Sequence, residues 1–413
     1  MPDTVAPPSD TATPPRYDPF DDTFQRDPYP AYRELRDHDP AHRHTDPPFW
    51  ALSRFDDIWA AVRGHQTYSS AQGLTFYRDE IATLGLAPTL VMLDPPRHGQ
   101  LRTLVSKGFT ARRVTDLEQL IREFARGRIA ELERRVADGE PVDLHRDFSA
   151  AIPNFVVAHL LGVPQPDRVR FNPWVRALTC LQDNGFRVDR RTAIDSVAEM
   201  FGYFSEMITA RRADPGDDLV SALTAADVDG DRLTDWDILG FCFAMVAGGN
   251  DTTGNLISHG VALLDAHHDQ RDRLVADPGL IPNALLEFLR LESSVQALAR
   301  TTLRPVTVHG ELIPAGEKVL MLFGSANRDE REFGPDADRL DITRRIPRHL
   351  AFSSGVHFCI GSHLARLQAR VAFEELYARQ PGIGVDLAGG QRLRSPFTRG
   401  WVSLPATGIT PGR

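Results

Sequence analysis

The sequence predicts a mainly α-helical fold with a smaller β portion near each end of the chain. From Pro96 to about Ala266, apolar residues recur at spacings of three and four, which is the period of amphipathic helices. Short β-like runs are expected at Phe49 to Leu52, Pro305 to Val308 and Lys318 to Phe323. Because 42% of the 413 residues are apolar, the chain can form a core large enough to enclose a sizeable cofactor.

The remaining segments are expected to divide as follows. Residues 1–16 are rich in Pro, Thr, Ser and Asp and are predicted to be a disordered tail, so that residues 17–413 form a single catalytic domain. Short helices are expected at Pro30 to Arg36 and Phe55 to Arg63, and a longer one from about Gly361 to about Gln380. The irregular segment between residues 324 and 354 is long for a compact domain, and such segments are often functional.

Charge and cysteine content exclude several classes of protein. The net charge of −9 argues against a general nucleic-acid binder, which needs an excess of Lys and Arg. Three cysteines do not look like a disulfide framework, so a reducing cytoplasm is expected. No signal peptide and no apolar run of about 18 residues is found, so no membrane attachment is expected.

Cys359 differs from the other two cysteines in its surroundings. Cys180 and Cys242 lie in apolar helical runs and are expected to be buried small side chains. Cys359 ends an irregular loop just before a helix, where free N–H groups and the positive end of the helix dipole stabilise a thiolate. Within this loop Gly355 permits a tight turn, and Gly361 lets the next helix approach a flat ligand.

The segment from Thr234 to about Ala266 has the pattern of one helix of about 33 residues, or about 50 Å, with Thr234 as N-cap and Asp237 three positions later. Its middle contains two adjacent glycines followed by polar residues, which cost about 1 kcal/mol per Gly in a helix. One interpretation is a loop that joins two helices. The other is a helix opened locally over a cofactor, where small residues admit O2 and a freed hydroxyl holds water or peroxide.

The two segments together resemble signatures of the cytochrome P450 family. Phe352 to Gly361 is similar to the family's haem-ligand loop, in the form with His where Arg is commoner, and Gly248 to Thr253 is similar to its oxygen-activating motif. The resemblance implies a cytochrome P450 fold, a triangular prism that is mainly α with a small β portion, with haem between the long central helix and the Cys-loop helix. It also implies that Cys359 is the metal ligand, that Thr252 donates a hydrogen bond to dioxygen, and that Asp251 relays protons.

Haem carries two carboxylates, which need cationic partners when they are partly buried. His98 and Arg102, four residues apart, match the family's His-x-x-x-Arg element, and Arg300 and His357 match two further family positions. The cofactor implied is haem b, iron protoporphyrin IX with a thiolate ligand. The cofactor-binding residues implied by the resemblance are His98, Arg102, Gly248, Arg300, Phe352, His357, Cys359 and Gly361.

Glu287 and Arg290 are three residues apart and share one face of an expected helix. Taken alone, they would more commonly be an exposed pair of little energetic value. The resemblance implies instead a buried structural ion pair behind the haem loop, with Arg339 as its third member. Leu340 stands where Phe is common in the family, a departure that leaves these charges unchanged.

The family resemblance implies a monooxygenase that inserts one oxygen atom from O2 into a hydrophobic small organic substrate. Alternatives are a haem-thiolate gas sensor, against which the Asp251–Thr252 pair argues, and a peroxide-driven enzyme, in which that pair is commonly replaced. The substrate itself is left open, and several of the pocket residues could simply be core. The pocket residues implied by family alignment are Val91, Val246, Ala247, Val295, Leu298 and Phe397.

An acidic redox partner, such as a ferredoxin that carries electrons from NAD(P)H through its reductase, is expected to dock near Cys359. The reason is that two segments on the proximal side, by resemblance, contain cations and no acid, so that they would form a basic patch. Solvation or haem binding is the other possible role of these cations. They are Arg97, Arg102, Lys107, Arg112, Arg113, Arg344, Arg345, Arg348, Arg366 and Arg370.

Overall fold

The computed structural model describes residues 17–78, 89–106, 111–171, 173–175, 190–228 and 230–412, without the side chains of 111–113, 190–194, 228 and 231. The expected disordered tail, Cys180, Lys107 and the side chains of Arg112 and Arg113 therefore lie outside the described residues. Among the residues described, no helix combines the length and the apolar character needed to cross a bilayer.

Helices make up most of the described chain, as expected. The α-helices are α1 Asp22–Arg26, α2 Tyr29–His38, α3 Phe55–Arg63, α4 Arg97–Ser106, α5 Ala111–Asp116, α6 Glu118–Ala137, α7 Ala151–Leu160, α8 Arg190–Ala213, α9 Leu219–Thr224, α10 Asp235–Gly249, α11 Asp251–Ala266, α12 His268–Ala276, α13 Ile281–Leu291, α14 Phe323–Ala326, α15 Glu330–Phe333 and α16 Ser362–Arg379. Short 3₁₀ turns occur at Leu90–Met92, Gln165–Arg170, Pro278–Leu280 and Gly355–His357, and a π-helical turn at His145–Ser149.

The main sheet has five strands in the order β1-β2-β9-β6-β3, in which only β2 and β9 are parallel neighbours. Four two-stranded sheets pair β4 with β5, β7 with β8, β10 with β13 and β11 with β12. The strands are β1 Ala41–Thr45, β2 Pro48–Leu52, β3 Tyr68–Ser69, β4 Asp227–Val228, β5 Asp231–Arg232, β6 Ala297–Thr302, β7 Val306–Val308, β8 Glu311–Ile313, β9 Lys318–Leu322, β10 Gly384–Val385, β11 Gln391–Arg392, β12 Trp401–Ser403 and β13 Ala406–Thr407.

Helix α11 passes through the core, and all ten residues from Thr253 to Val261 and Leu264 are buried. Gly260 marks its closest contacts, because a Cβ atom there would lie 2.5 Å from the Phe373 ring and 2.7 Å from the Phe288 ring. The absence of a side chain therefore lets α13 and α16 pack directly against α11. This packing fixes the helix that follows Cys359 against the central helix.

The expected central helix is present but interrupted. Thr234 is the N-cap of α10 and forms a capping box with Asp237, which confirms that prediction. The helical hydrogen bonding stops at Asn250 and resumes at Asp251. The segment is thus neither a single regular helix nor two helices joined by a loop, but two helices separated by one residue in right-handed conformation, with φ −94° and ψ −69°.

Candidate active site

The loop before Cys359 is held by its own backbone. The amide of Cys359 donates a hydrogen bond to the Phe352 carbonyl at 3.0 Å. Gly355 has a φ of 70°, and a Cβ there would lie 3.1 Å from Arg63 Cα, so both the turn and the contact with α3 require glycine. Gly361 has ordinary backbone angles, and a Cβ there would lie 3.9 Å from Cys359 Sγ, so the protein itself leaves room for a side chain.

Two opposing effects act on the Cys359 thiol. Desolvation raises its pKa, while hydrogen bonds from the amides of Gly361 and Ser362 and the charge of Arg102 lower it, and the net shift is upward. The helix N-terminus was expected to stabilise a thiolate, but here it does not outweigh burial. An iron ion next to the sulfur would add positive charge that favours the thiolate.

Four basic side chains gather on one side of this loop. The rings of His98 and His357 lie 4.3 Å apart. Burial, together with Arg300, His98 and Arg102, lowers the pKa of His357 to about 3. His357 Nδ1 and His98 Nε2 are buried and have no partner in the described part of the chain. His357 therefore stays neutral, and each of the two rings retains a nitrogen without a hydrogen-bond partner among the described residues.

Arg300 is the buried guanidinium of this group, at 3% exposure. Its Nη1 donates to the Ala299 carbonyl at 2.8 Å, and no carboxylate of the described residues lies within ion-pair distance. Burial lowers the pKa of Arg300 to about 10, and Asp94 opposes the shift. A buried guanidinium without an acid is costly, so this cluster fits an anionic group such as the haem carboxylates.

Arg102, in helix α4, and Phe352, at the start of the cysteine loop, both lie near Phe358. Arg102 Nη2 donates to the Phe358 carbonyl at 2.6 Å, and burial lowers its pKa while Cys359 opposes the shift. Phe352 is partly buried, and its ring lies 6.4 Å from that of Phe358. The cluster of donors and the cysteine are therefore joined by direct contacts.

The interruption of the central helix exposes one face of it. A Cβ on Gly248 would meet nothing within 4 Å, whereas one on Gly249 would lie 3.1 Å from Val157 in α7. The Thr252 hydroxyl donates to the Gly248 carbonyl at 2.7 Å, and both Asp251 and Thr252 are partly exposed. Gly248 and Thr252 thus share the open face, and Gly249 packs into the protein.

The expected pocket residues separate into two groups. Ala247, Val295 and Leu298 are partly exposed, and Val91 is 41% exposed. The segment that carries Val295 and Leu298 contacts the central helix through Ser294, whose hydroxyl donates to the Thr252 carbonyl at 2.9 Å. These apolar side chains come from three separate parts of the chain.

Val246 and Phe397 are both buried in hydrophobic clusters, and their place in the pocket stays a prediction. Val246 has no exposed surface, since it is two residues before Gly248 and points to the opposite side of α10. The Phe397 ring, at 3% exposure, packs 4.9 Å from the ring of Phe76. Residues 79–88 and 176–189, next to this region in sequence, lie outside the described residues.

The ion pair behind the loop is completely buried. Glu287 accepts hydrogen bonds from Arg290 at 2.7 and 2.8 Å, and neither side chain has exposed surface. The third member is Arg344, whose Nε lies 3.2 Å from Glu287 Oε1, and not Arg339. Arg339 ends a turn that directs its side chain to solvent and its carbonyl toward the Arg344 guanidinium, at 3.3 Å.

The two acid-free segments carry less unpaired positive charge in the structure than their sequences alone suggest, and the expected basic patch stays a prediction. Acids from other parts of the chain pair with several of their arginines. The pairs are Arg97 with Asp237, Arg344 with Asp336, Arg348 with Glu332, and Arg370 with Glu118 and Glu374. Arg366 and Arg345 have no ion pair with any described residue.

Some residues of this site were missed from the sequence. Ser70 Oγ lies 3.1 Å from His357 Nε2, and Asp94 accepts from the Ser70 amide at 2.9 Å. His65 contributes another buried ring nitrogen without a partner among the described residues. The only signal for them was their position in the Ser-rich segment and just before His98, which does not distinguish them from ordinary turn residues.

Comparisons with known proteins agree with this arrangement. Residues 279–378 match the family model described as Cytochrome P450. Cytochrome P450 130 of Mycobacterium tuberculosis is 46% identical over 90% of this chain and 94% of its own length. The vitamin D(3) 25-hydroxylase of Pseudonocardia autotrophica is 39% identical over 95% of this chain and 96% of its own.

Solved structures match over nearly the full length. Cytochrome P450 CYP109Q5 from Chondromyces apiculatus superimposes with a TM-score of 0.86 at 34% identity, covering 96% of this chain and 98% of that one. The expected fold class, mainly α with a small β portion, is thereby confirmed. The identity and the coverage of these relatives show that the chain belongs to the cytochrome P450 family of haem-thiolate monooxygenases.

Proposed function

We propose that this enzyme inserts one atom of O2 into a hydrophobic small organic molecule and takes its electrons from NAD(P)H through a ferredoxin reductase and a ferredoxin. The cofactor we propose is haem b with the Cys359 thiolate as iron ligand, held in one catalytic domain of residues 17–413. When bound, thiolate-ligated haem supplies the activation of dioxygen, because electron donation from sulfur favours O–O cleavage.

The observation that carries this proposal is a group of buried donors in which the guanidinium has no ion-pair partner. Arg300, His98 and His357 converge beside the Cys359 loop, and Arg300 forms no ion pair with any described carboxylate. We assign them, with Arg102, to the two haem carboxylates. Phe352, Gly361 and Gly248 would contact the flat faces and edge of the same group.

Thr252 and Asp251 are proposed to deliver protons at the open face of the central helix. The hydrogen bond from Thr252 Oγ1 to the Gly248 carbonyl orients that oxygen, so that its lone pairs are free to accept a hydrogen bond from water. Asp251, the preceding residue, is partly exposed and is proposed to exchange protons with solvent. The general acid role needs such a positioned chain of donors.

The substrate is proposed to be apolar because the side chains next to Thr252 are apolar. Ala247, Val295 and Leu298 are partly exposed there, and Val91 is exposed on a neighbouring turn. One relative is named as a hydroxylase of vitamin D(3), a largely hydrocarbon molecule. These observations favour a hydrophobic small molecule without selecting one.

The redox partner is proposed to dock on the cysteine side of the protein. Phe358, next to Cys359, is 42% exposed, and Arg366 and Arg345 are cations without an ion pair among the described residues. An exposed apolar side chain and cations that lack acidic partners are features that suit a small acidic protein. Arg112 and Arg113, whose side chains lie outside the described residues, were predicted from the sequence to contribute to this surface.

The proposed reaction is tested with haem-loaded protein, a ferredoxin, its reductase, NADPH and O2. A panel of hydrophobic compounds is first titrated while the haem spin-state spectrum is recorded, and those that shift it are then offered for turnover. We expect NADPH and O2 consumption with an oxygenated product. A gas sensor would bind ligand without consumption, and a peroxide-driven enzyme would form product from H2O2 and not from NADPH.

The docking surface is tested with Arg366→Glu and, separately, with Arg112→Glu combined with Arg113→Glu. We expect slower reduction by ferredoxin at low ionic strength, a smaller difference at high salt, and unchanged substrate binding. Arg43→Glu on the edge strand β1 is the matched control for added negative charge. Equal reduction rates for all variants would exclude this face.

A further inference from the structure

The turn of residues 395–399 is built around Ser395. The Ser395 hydroxyl accepts hydrogen bonds from the amides of Phe397 at 3.2 Å and Thr398 at 3.1 Å. Ser395 is 6% exposed, and its own amide donates to Gln25 Oε1 at 3.0 Å. The first amide of this turn is therefore satisfied by a side chain of helix α1, which is 370 positions away in the sequence.

Gln25 is suited to this contact because both ends of its side-chain amide are hydrogen-bonded. Its Nε2 donates to the Pro19 carbonyl, and its Oε1 accepts from the Ser395 amide. A carbonyl can only accept and a backbone amide can only donate, so these two partners require a side chain with one donor and one acceptor. Because Gln25 is only partly buried, its replacement tests these hydrogen bonds and not the packing of the core.

The same turn is bonded along its backbone to the segment 294–298. The Phe397 carbonyl accepts from the Gln296 amide at 2.8 Å. The Arg399 amide donates to the Ser294 carbonyl at 2.8 Å. A displacement of the turn would therefore also displace the segment 294–298, which contains two of the partly exposed apolar residues that we assign to the substrate pocket.

Two further contacts join α1 to the turn. The Arg399 guanidinium donates to the Gln25 carbonyl at 3.4 Å and forms an ion pair with Glu292 at 2.9 Å. Arg394 pairs with Asp22 at the surface. Loss of Arg399 would leave the buried Glu292 with one cation fewer, and exposed pairs contribute little. The side chain of Gln25 is therefore the contact that can be removed without unpairing a buried charge.

We propose that Gln25 is a positioning residue that helps to determine which substrates the pocket accepts. By bonding the Ser395 amide it holds the turn of residues 395–399, and through that turn it holds the segment 294–298 beside the Thr252 carbonyl. The inference rests on the proposed function, because that proposal assigns this segment to the substrate pocket. It adds a residue of helix α1, outside the pocket itself, to those that set substrate specificity.

The first test measures amide hydrogen exchange in the haem-loaded protein. Gln25→Met has similar length but offers no acceptor to the Ser395 amide. We expect exchange in the turn of residues 395–399 to become about tenfold faster, the fold-change of one lost hydrogen bond. Gln25→Glu keeps an acceptor oxygen and loses the donor, so it should restore part of the protection. Gln119→Met is the matched control, because Gln119 is exposed and its Nε2 donates to Glu123 within α6.

The second test measures selectivity through the haem spin-state spectrum. The probes are hexanol and decanol, and imidazole, a small ligand of the iron, reports on the haem itself. In Gln25→Met we expect decanol to bind about two- to tenfold more weakly relative to hexanol, because the longer chain contacts more of the pocket wall. Imidazole binding should not change. Gln25→Glu should recover part of the ratio, and Gln119→Met should match the wild type.

Three outcomes would overturn the proposal. Unchanged exchange in Gln25→Met would show that the turn does not depend on Gln25, and faster exchange with an unchanged affinity ratio would show that the turn does not affect selectivity. Equally weaker binding of both alcohols and imidazole would indicate a general loss of stability. If Gln25→Met fails to fold, Gln25→Ala is measured in its place. If the wild type binds no compound of the panel and consumes no NADPH with any of them, the proposed function fails, while exchange still tests the role of Gln25.

Discussion

Glu287→Ala should destabilise the protein more than any other single loss of an ion pair described above. Glu287 has no exposed surface and accepts four hydrogen bonds, two from Arg290, one from Arg344 and one from the Asp341 amide. After the substitution Arg290 keeps only the carbonyls of Asn327 and Ala337 as acceptors. A buried guanidinium would then lack any opposite charge.

The expected loss is about 3–5 kcal/mol, which is the cost of leaving a buried charge unpaired. Since net stabilities are about 5–15 kcal/mol, this is a large share of the total. Glu287→Gln keeps the size and one acceptor oxygen, and should lose about 1.5–3 kcal/mol, the scale of hydrogen bonds to charged groups. Stability should therefore rise from Glu287→Ala to Glu287→Gln to wild type. Ala removes both the charge and the hydrogen bonds, whereas Gln removes the charge and keeps one acceptor oxygen.

The assay compares expression yield, haem content and melting temperature of these variants. Arg344→Ala and Arg339→Ala test the corrected third partner directly. Arg344 bonds Glu287 and should lower the melting temperature when removed, whereas the exposed Arg339 should not. Wild-type yield, haem content and melting temperature in Glu287→Ala would refute the reasoning, and a larger effect of Arg339→Ala would refute the assignment of Arg344.

Three further outcomes are expected. Cys359→Ala should abolish the thiolate-type spectrum of the reduced CO complex, and haem-loaded wild type without that spectrum would contradict thiolate ligation. Thr252→Ala should lower product per NADPH by about 10²-fold and raise H2O2, and unchanged coupling would argue against its proton role. Burial lowers the pKa of His145 from 6.5 to about 4, so as the pH falls the unfolded chain takes up a proton on this ring before the folded protein does. The free energy of unfolding should therefore fall by about 3 kcal/mol as the pH drops from 6.5 to 4. His145→Gln should flatten the melting temperature against pH in that window, and parallel curves would exclude His145 as the cause.

Local patterns in the sequence predicted most of the helices and several strands. The helix Phe55–Arg63 was predicted at its observed bounds, and Ser362–Arg379 within one residue at each end. The strands β1 and β6 were missed, because β1 is a polar edge strand and β6 mixes Arg and Thr with Ala. Their register depends on neighbours distant in the chain, which no local period encodes.

The sequence by itself determined which residues share a turn or a loop. The pairing of Glu287 with Arg290, three apart on one helix, and the glycine needed at Gly355 are of this kind, since their geometry depends on a few adjacent residues. The proposed roles of Cys359 and Thr252 came from the resemblance of two short segments to signatures of the cytochrome P450 family.

Only the tertiary structure decided which distant groups meet. Arg344 took the place expected for Arg339 because a turn points one side chain inward and the other to solvent. Glu118 and Glu374 neutralise Arg370, which a linear count of charges had left in a basic run. Val246 is buried in the core because the opposite side of helix α10 carries the open face with Gly248. Each outcome depends on chain crossings that bring residues far apart in sequence within a few ångströms, and electrostatic and packing energies act at that range.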